Sequence, residues 1–290
     1  MKEDSGGDGE RARILAVTSG KGGVGKTVLT ANLAATLAAR GERVLVLDAD
    51  LGLANLDVIL NLFPKITLHD VFTGAARLDD AILPAPGGFS VLLAGSGLVE
   101  YSRLTPQVRD QLVEVIDSVA PRFDRVLLDT GAGISDVVLH AISLADDVLV
   151  VATPEPTSMT DAYATIKVLA TVQGRRRMGV VVNQVSMAGE GRTVHRQLQL
   201  VVDRFVTPAL SRDGVGEPVE LEMLGEIPTD IAMREAVRRR SLLVTTVPGT
   251  AAARAINAIA TRLAATAAAT ASASASASAS ASASASASSS

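Results

Sequence analysis

The amino-acid sequence predicts an α/β protein with a doubly wound, mostly parallel sheet and helices on both faces of that sheet. Six short runs are apolar throughout rather than alternating with polar residues, as expected for parallel strands that helices cover on both sides. Each run is followed by a segment with a helical pattern, and such alternation of strand and helix is typical of this fold class. The six runs are residues 13–18, 43–48, 89–95, 125–129, 147–152 and 178–183.

The helical segments between these strands carry their own end signals. Residues 105–120 are expected to form a helix with Thr105 as the N-cap and Pro106 at the first helical position, where a missing N–H costs little. Near the end of the pattern, Ile256, Ile259 and Leu263 form an apolar stripe that fits a last helix packed on the core. The strand–helix alternation therefore covers residues 11–265, which we predict to be one domain.

Two segments outside this domain lack such a pattern. Residues 1–10 are mostly polar and are predicted to be a flexible leader. The final twenty residues contain only Ala and Ser, and such a segment cannot offset the entropy lost when it becomes ordered. Residues 266–290 are therefore predicted to be a disordered Ala/Ser-rich tail.

The composition excludes several classes of protein. The chain of 290 residues has no cysteine, which rules out disulfides, iron–sulfur ligation and thiol catalysis. Its three histidines, His69, His140 and His195, are scattered, so a structural metal site is not expected. No apolar run approaches the roughly 18 residues of a membrane span, and the N-terminus has no apolar core of a signal peptide. These features predict a cytoplasmic protein.

One glycine-rich stretch between the first strand and the next helix carries the clearest functional signal. Residues 20–27, GKGGVGKT, match G-x-x-x-x-G-K-[ST] in the strand–loop–helix context that argues against a simple turn at a sheet edge. The glycines let backbone N–H groups face phosphates, and the helix N-terminus adds partial positive charge. Lys26 is expected to reach the β- and γ-phosphates of a nucleotide, and the Thr27 hydroxyl to ligate Mg²⁺. The predicted phosphate-binding residues are Gly20, Lys21, Gly22, Gly23, Val24, Gly25, Lys26, Thr27 and Val28.

Three aspartates follow two of the predicted strands. Asp48 and Asp50 come at the end of one strand, and Asp129 closes another. Ligands of α/β sheets collect at the carboxyl ends of the strands, so these side chains are expected to converge on the phosphates. A magnesium–nucleotide site needs a carboxylate to hold the metal and another group to orient the attacking water.

The second lysine of the loop, Lys21, is not required by phosphate binding alone. The form K-G-G-x-G-K-T resembles the deviant Walker A motif of the ParA/MinD family of P-loop ATPases. The resemblance implies that Lys21 crosses a dimer interface to the nucleotide of the other subunit, as an arginine finger does in trans. The alternative is a solvated surface lysine, which is disfavoured because a cation beside Lys26 is repelled unless an anion binds there.

The same resemblance implies roles for the other site residues. Asp129 would hold the metal, Asp50 would orient the attacking water, and Asp48 would support the metal shell. The implied catalytic residues are then Lys21, Lys26 and Asp50, acting with the cofactors ATP and Mg²⁺. Gly131 would let the backbone after Asp129 approach the γ-phosphate.

Nucleotide base selection is assigned by resemblance as well. Asn183, at the end of a strand, occupies the position that reads adenine in the family, and Pro228 and Asp230 would lie near the base. A turn residue at a strand end is the alternative interpretation of Asn183.

Four longer motifs resemble the flagellar-number regulator branch of the family (FlhG, FleN or YlxH). They are DADLGLANLD, DTGAGIS, residues 153–167 and residues 225–239. The branch implies a slow, dimer-dependent, MinD-like ATPase that acts as a dimerisation switch and regulates flagellar number and placement. It implies an ATP-dependent homodimer with Glu155 near the interface, and as partner the GTPase FlhF or flagellar basal-body or transcription factors.

The sequence departs from the branch at two places, and one alternative function competes with the flagellar one. The first residues lack the glutamine-containing motif associated with FlhF. After Leu263 no aromatic or basic side chain could anchor an interfacial helix, so the peripheral membrane location implied by the branch is not expected from the residues. The alternative is a ParA-type partition ATPase that binds DNA non-specifically through the arginines of 175–177 and 238–240, although arginines at helix ends more often complement the helix dipole.

Overall fold

The computed structural model describes residues 11–52, 55–95, 103–210 and 217–265. The predicted leader, residues 1–10, and the predicted tail, residues 266–290, lie outside these residues. Within them, eight strands form one sheet. The strands are β1 (Arg13–Ser19), β2 (Val44–Ala49), β3 (Ile82–Pro84), β4 (Ser90–Leu92), β5 (Arg125–Ala132), β6 (Asp147–Ala152), β7 (Arg177–Val185) and β8 (Glu220–Pro228).

The strands lie in the order β3-β4-β2-β5-β1-β6-β7-β8, and every neighbouring pair is parallel except β3 and β4. This confirms the predicted doubly wound sheet and its six predicted strands. The prediction omitted the two edge strands. β3 has three residues and ends in Pro84, and only Leu221, Leu224 and Ile227 of the nine residues of β8 are buried, so neither is an apolar run.

Helices follow most of the strands and cover the sheet. They are α1 (Lys26–Ala38), α2 (Leu56–Leu60), α3 (Leu68–Phe72), α4 (Leu78–Ala81), α5 (Pro106–Val119), α6 (Asp136–Ser143), α7 (Pro156–Val172), α8 (Glu190–Phe205), α9 (Thr207–Leu210), α10 (Ile231–Arg238), α11 (Leu243–Thr246) and α12 (251–265). The predicted start of α5 is confirmed, since the Thr105 hydroxyl accepts a hydrogen bond from the Val108 N–H at 3.2 Å.

Two apolar clusters lie on opposite faces of the sheet, and successive residues of each central strand contribute to different clusters. Ile14 belongs to the cluster that includes residues of α5, α6, α7 and α8, whereas Leu15 belongs to the cluster that includes residues of α1, α11 and α12. The predicted stripe of α12 belongs to the second cluster: Ile256 and Ile259 are fully buried, and Leu263 is nearly so. This confirms that the last helix is a core helix. In the described ranges, no helix is long and apolar enough to cross a membrane.

Candidate functional site

The glycine-rich loop leaves β1, the strand that lies between β5 and β6 in the sheet, and enters α1. Gly23 and Gly25 have φ values of 81° and 93°, which favour glycine. A Cβ on Gly20 would lie 2.1 Å from the backbone carbonyl of Asp161 in α7, so glycine is needed there for close packing. No side chain caps the start of α1, so the helix presents its free backbone N–H groups to a ligand.

Lys26 at the start of α1 is a buried cation, with 8% of its surface exposed. Burial lowers the pKa of its ammonium group, and the negative charges of Asp129 and Asp50 partly oppose that shift. A cation held out of water beside carboxylates is poised to gain from binding phosphate oxygens.

Asp48 and Asp129 face each other as register partners on the neighbouring strands β2 and β5, and both are buried. Burial raises the pKa of Asp129 to about 6, although hydrogen bonds from the Thr27 and Thr30 hydroxyls and the charge of Lys26 lower it. The pKa of Asp48 is raised well above its usual range, mainly by burial and to a smaller extent by the charge of Asp129. The negative charge of Asp129 therefore disfavours ionisation of the neighbouring Asp48.

The oxygen atoms at this edge of the sheet are suitable ligands for a magnesium ion. Asp48 Oδ1 accepts from the Asp50 N–H at 3.1 Å, but Asp48 Oδ2 has no hydrogen-bond partner among the residues that the structure describes. A divalent cation would neutralise the repulsion between Asp48 and Asp129, with the Thr27 hydroxyl as a further oxygen ligand. The described residues contain no group of three or more His, Asp or Glu side chains placed to hold a metal. One or two carboxylates with substrate phosphates are enough for Mg²⁺.

Asp50 is half-buried just beyond β2 and faces the backbone that follows Asp129. A Cβ on Gly131, near the end of β5, would lie 3.4 Å from Asp50 Oδ1, so the backbone two residues after Asp129 passes within van der Waals reach of this carboxylate. The structure thus brings Lys26, Asp48, Asp50 and Asp129 to one edge of the sheet, as expected.

Lys21 is neither deeply buried nor fully solvated. Its ammonium group lies 2.6 Å from Glu155 Oε2 and 3.0 Å from the Thr157 hydroxyl, at the start of α7. The Lys21 and Glu155 side chains are 37% and 61% exposed. Lys21 is therefore tied to a residue of its own chain, next to the phosphate loop.

A cavity of about 410 Å³ adjoins the loop and is lined by all three residues predicted to lie near the base: Asn183, Pro228 and Asp230. Two of these side chains also have partners within the protein. Asn183 Nδ2 donates to the Val24 carbonyl at 2.8 Å. The Asp230 carboxylate accepts from the N–H groups of Ala232 at 2.9 Å and Ala252 at 3.2 Å, so it joins the starts of α10 and α12.

Some residues of the site were not predicted from the sequence. Thr30 lies one turn after Lys26 on α1, and its hydroxyl contacts both the Lys26 carbonyl and Asp129. Its spacing on the helix could have indicated it. Thr157 and the apolar cavity residues Ile227 and Met233 carry no local signal of a ligand site, and Ile256 was predicted only as a core residue.

The two arginine triplets are engaged with neighbouring groups of the protein. Arg175 donates to the carbonyls of Ile142 and Asp146 near the end of α6. Arg177 pairs with Glu220, and Arg238 pairs with Glu235. These contacts are the helix-end and ion-pair roles that arginines at such positions commonly have.

The phosphate loop lies between a central parallel strand and an uncapped helix, and it faces carboxylates of two neighbouring strands. This arrangement defines a P-loop nucleotide-binding protein. The chain matches the family described as the CobQ/CobB/MinD/ParA nucleotide binding domain over residues 15–244, and it belongs to that family. This confirms the resemblance identified from the sequence.

Individual relatives agree with this assignment. The chain is 40% identical over 251 residues to the antiactivator FleN of Pseudomonas aeruginosa, covering 87% of this chain and 86% of that protein. It is 32% identical over 250 residues to the flagellum site-determining protein YlxH of Helicobacter pylori, covering 86% and 80% of the two chains. Its structure is similar to that of the septum site-determining protein MinD of Pyrococcus horikoshii complexed with Mg-ADP. That comparison gives a TM-score of 0.69 at 27% identity and covers 87% and 96% of the two chains.

Proposed function

We propose that this MinD/ParA-like protein hydrolyses ATP slowly to ADP and phosphate and uses ATP-dependent dimerisation as a switch that regulates flagellar number and placement. The observation that best supports the ATPase is the buried Lys26 at an uncapped helix N-terminus, facing the buried pair Asp48 and Asp129. Positive groups for phosphate and oxygen ligands for a cation thus meet at one point.

Each group of the site has a definite task in this proposal. The N–H groups of the loop and Lys26 bind the β- and γ-phosphates, and Thr27 and Asp129 hold Mg²⁺, with Asp48 supporting them. When bound, Mg²⁺ neutralises part of the negative charge of the phosphates. Asp50 accepts a hydrogen bond from the attacking water and so orients it toward the γ-phosphate.

The switch concerns Lys21. In the proposal, Lys21 leaves Glu155 when two ATP-bound subunits meet, and its ammonium group reaches the phosphates bound by the other subunit. The ion pair with Glu155 is largely exposed, and such pairs are worth about 0.2–1 kcal/mol, so its loss is easily offset by contact with a phosphate. Glu155, at the start of α7, then lies near the dimer interface.

The flagellar role rests on similarity to FleN and YlxH, whose names describe an antiactivator and a flagellum site-determining protein. A flagellar transcription or basal-body factor, or the GTPase FlhF, is the corresponding partner of the ATP-bound dimer. We propose a cytoplasmic location. DNA binding of the partition type is disfavoured because the chain has a formal net charge of −4 and Arg175 already donates to backbone carbonyls.

Three variants test the ATPase and the switch separately. Lys26→Ala should abolish ATP binding, because the loop loses the cation that faces the β- and γ-phosphates. Lys21→Ala should bind ATP but lose turnover, and Asp50→Ala should bind ATP and accumulate as a dimer. Titration calorimetry measures binding, phosphate release measures turnover, and light scattering with ATP or ADP measures dimerisation.

These variants also control for one another. Undiminished ATP affinity in Lys26→Ala would refute the ATP site. If Asp50→Ala stays monomeric with ATP while Lys21→Ala dimerises and turns over normally, the switch is wrong even though the ATP site stands.

A further inference from the structure

The side chain of Asn183 lies between the base cavity and the phosphate loop. Its Nδ2 donates to the carbonyl of Val24, in the middle of the loop, at 2.8 Å. Its Oδ1 accepts from the backbone N–H of Gln184 at 2.9 Å. The amide is thus held at both ends by the protein, although Asn183 also lines the cavity.

The local backbone at the end of β7 is shaped to hold this amide in place. Gln184 has a φ of 59°, a conformation that residues other than glycine seldom adopt. The register between β7 and β8 shifts between Val182 and Val185, as in a β-bulge, which re-aims a side chain at a strand end. The bond to Asn183 Oδ1 stabilises this turn, and the turn fixes the amide against the loop.

The loop is in turn shaped to receive the amide. A Cβ on Gly25 would lie 2.5 Å from Asn183 Nδ2, so the amide can pack here only against a glycine. Val24 is buried, which keeps its carbonyl in a fixed position. The contact therefore joins the phosphate loop to the end of β7, two parts of the protein that are far apart in sequence.

We infer that Asn183 is a positioning residue that holds the phosphate loop in its binding conformation through the Val24 carbonyl. Binding a phosphate chain to a loop that is already ordered avoids the entropy of ordering it. The affinity for phosphates then depends on Asn183 even when no base is present. This inference rests on the proposed function, since it requires a triphosphate bound by the loop.

A ligand without a base separates this role from base recognition. Tripolyphosphate, added with Mg²⁺, can be measured by its competition with a fluorescent ATP analogue. If Asn183 positions the loop, Asn183→Ala should weaken tripolyphosphate by about three- to tenfold, the range expected for one lost hydrogen bond. Asn183→Asp should weaken it at least as much, because its carboxylate also repels the Val24 carbonyl and the phosphates. The affinity for ATP should fall by at least the same factor.

The two variants and one control guard against a general loss of structure. Asn183→Asp keeps the shape and the Oδ1 acceptor but replaces the donor, so the turn at Gln184 survives while the bond to Val24 is lost. Val172→Ala changes an exposed side chain at the end of α7, outside the cavity lining, so it should bind tripolyphosphate as the wild type does. Melting temperatures of all variants show whether each is folded.

The outcomes are distinct. If the wild type binds neither ATP nor tripolyphosphate, the proposed function fails. If the wild type binds both and the Asn183 variants weaken only ATP, Asn183 reads the base alone and the inference is wrong. A wild type that binds ATP but not tripolyphosphate would also overturn it, because the loop would then not be ordered for phosphates.

Discussion

Replacing Asp129 by asparagine is expected to change how the stability of the ligand-free protein depends on pH. Burial raises the pKa of this carboxyl group in the folded protein from 3.8 to about 6. Between these values the folded protein binds more protons than the unfolded chain. The free energy of unfolding therefore falls as the pH rises through this window, and the whole loss is present above pH ~6.

The size of the effect follows from the shift. A rise of about two pH units, at about 1.4 kcal/mol per unit, corresponds to about 3 kcal/mol. The amide of the Asp129→Asn variant has no proton to lose, so the free energy of unfolding of this variant minus that of the wild type should grow by up to that amount between pH ~4 and pH ~7. The size of this difference at a single pH is not the test, because it also includes the exchange of a neutral carboxyl for an amide; the test is how the difference changes with pH.

Urea denaturation followed by far-UV circular dichroism measures this difference, since the chain has no tryptophan for fluorescence. The experiment is run with a chelator and without nucleotide, at several pH values across the window. Asp117→Asn is a matched control, because the Asp117 side chain is 65% exposed and its charge stays in water. A difference between Asp129→Asn and the wild type that does not change with pH, or that shrinks as the pH rises, would refute the reasoning.

Two further predictions concern the switch and the membrane. Glu155→Gln removes the negative partner of Lys21, so Lys21 should be released more easily. The ATP concentration needed for dimerisation should fall by about two- to fivefold, the equivalent of an exposed ion pair. Weaker dimerisation of this variant in light scattering would show that Glu155 does not restrain Lys21. The full chain, and a truncation that lacks Ala264–Ser290, should both stay in the supernatant with anionic liposomes in ATP and in ADP, because the stripe of α12 is buried in the core. Co-sedimentation of the full chain only, and only with ATP, would contradict this.

The sequence by itself was enough to predict the sheet, the phosphate loop and the edge at which the acids meet. Apolar runs, glycines and terminal aspartates are local patterns, and the direction of parallel strands places their ends together. β3 and β8 were not predicted, because edge strands are not buried on both faces. The division into a leader, one domain and a tail stays a prediction.

Tertiary structure decided which groups of the site contact one another. The bond from Asn183 to Val24, the ion pair of Lys21 with Glu155, and the joining of α10 and α12 by Asp230 all link residues that are separated along the chain. No local pattern encodes such contacts, because they depend on how helices and strands pack and on which hydrogen-bond partners packing leaves within reach. The raised pKa of Asp129 has the same origin, since burial is a property of the folded chain.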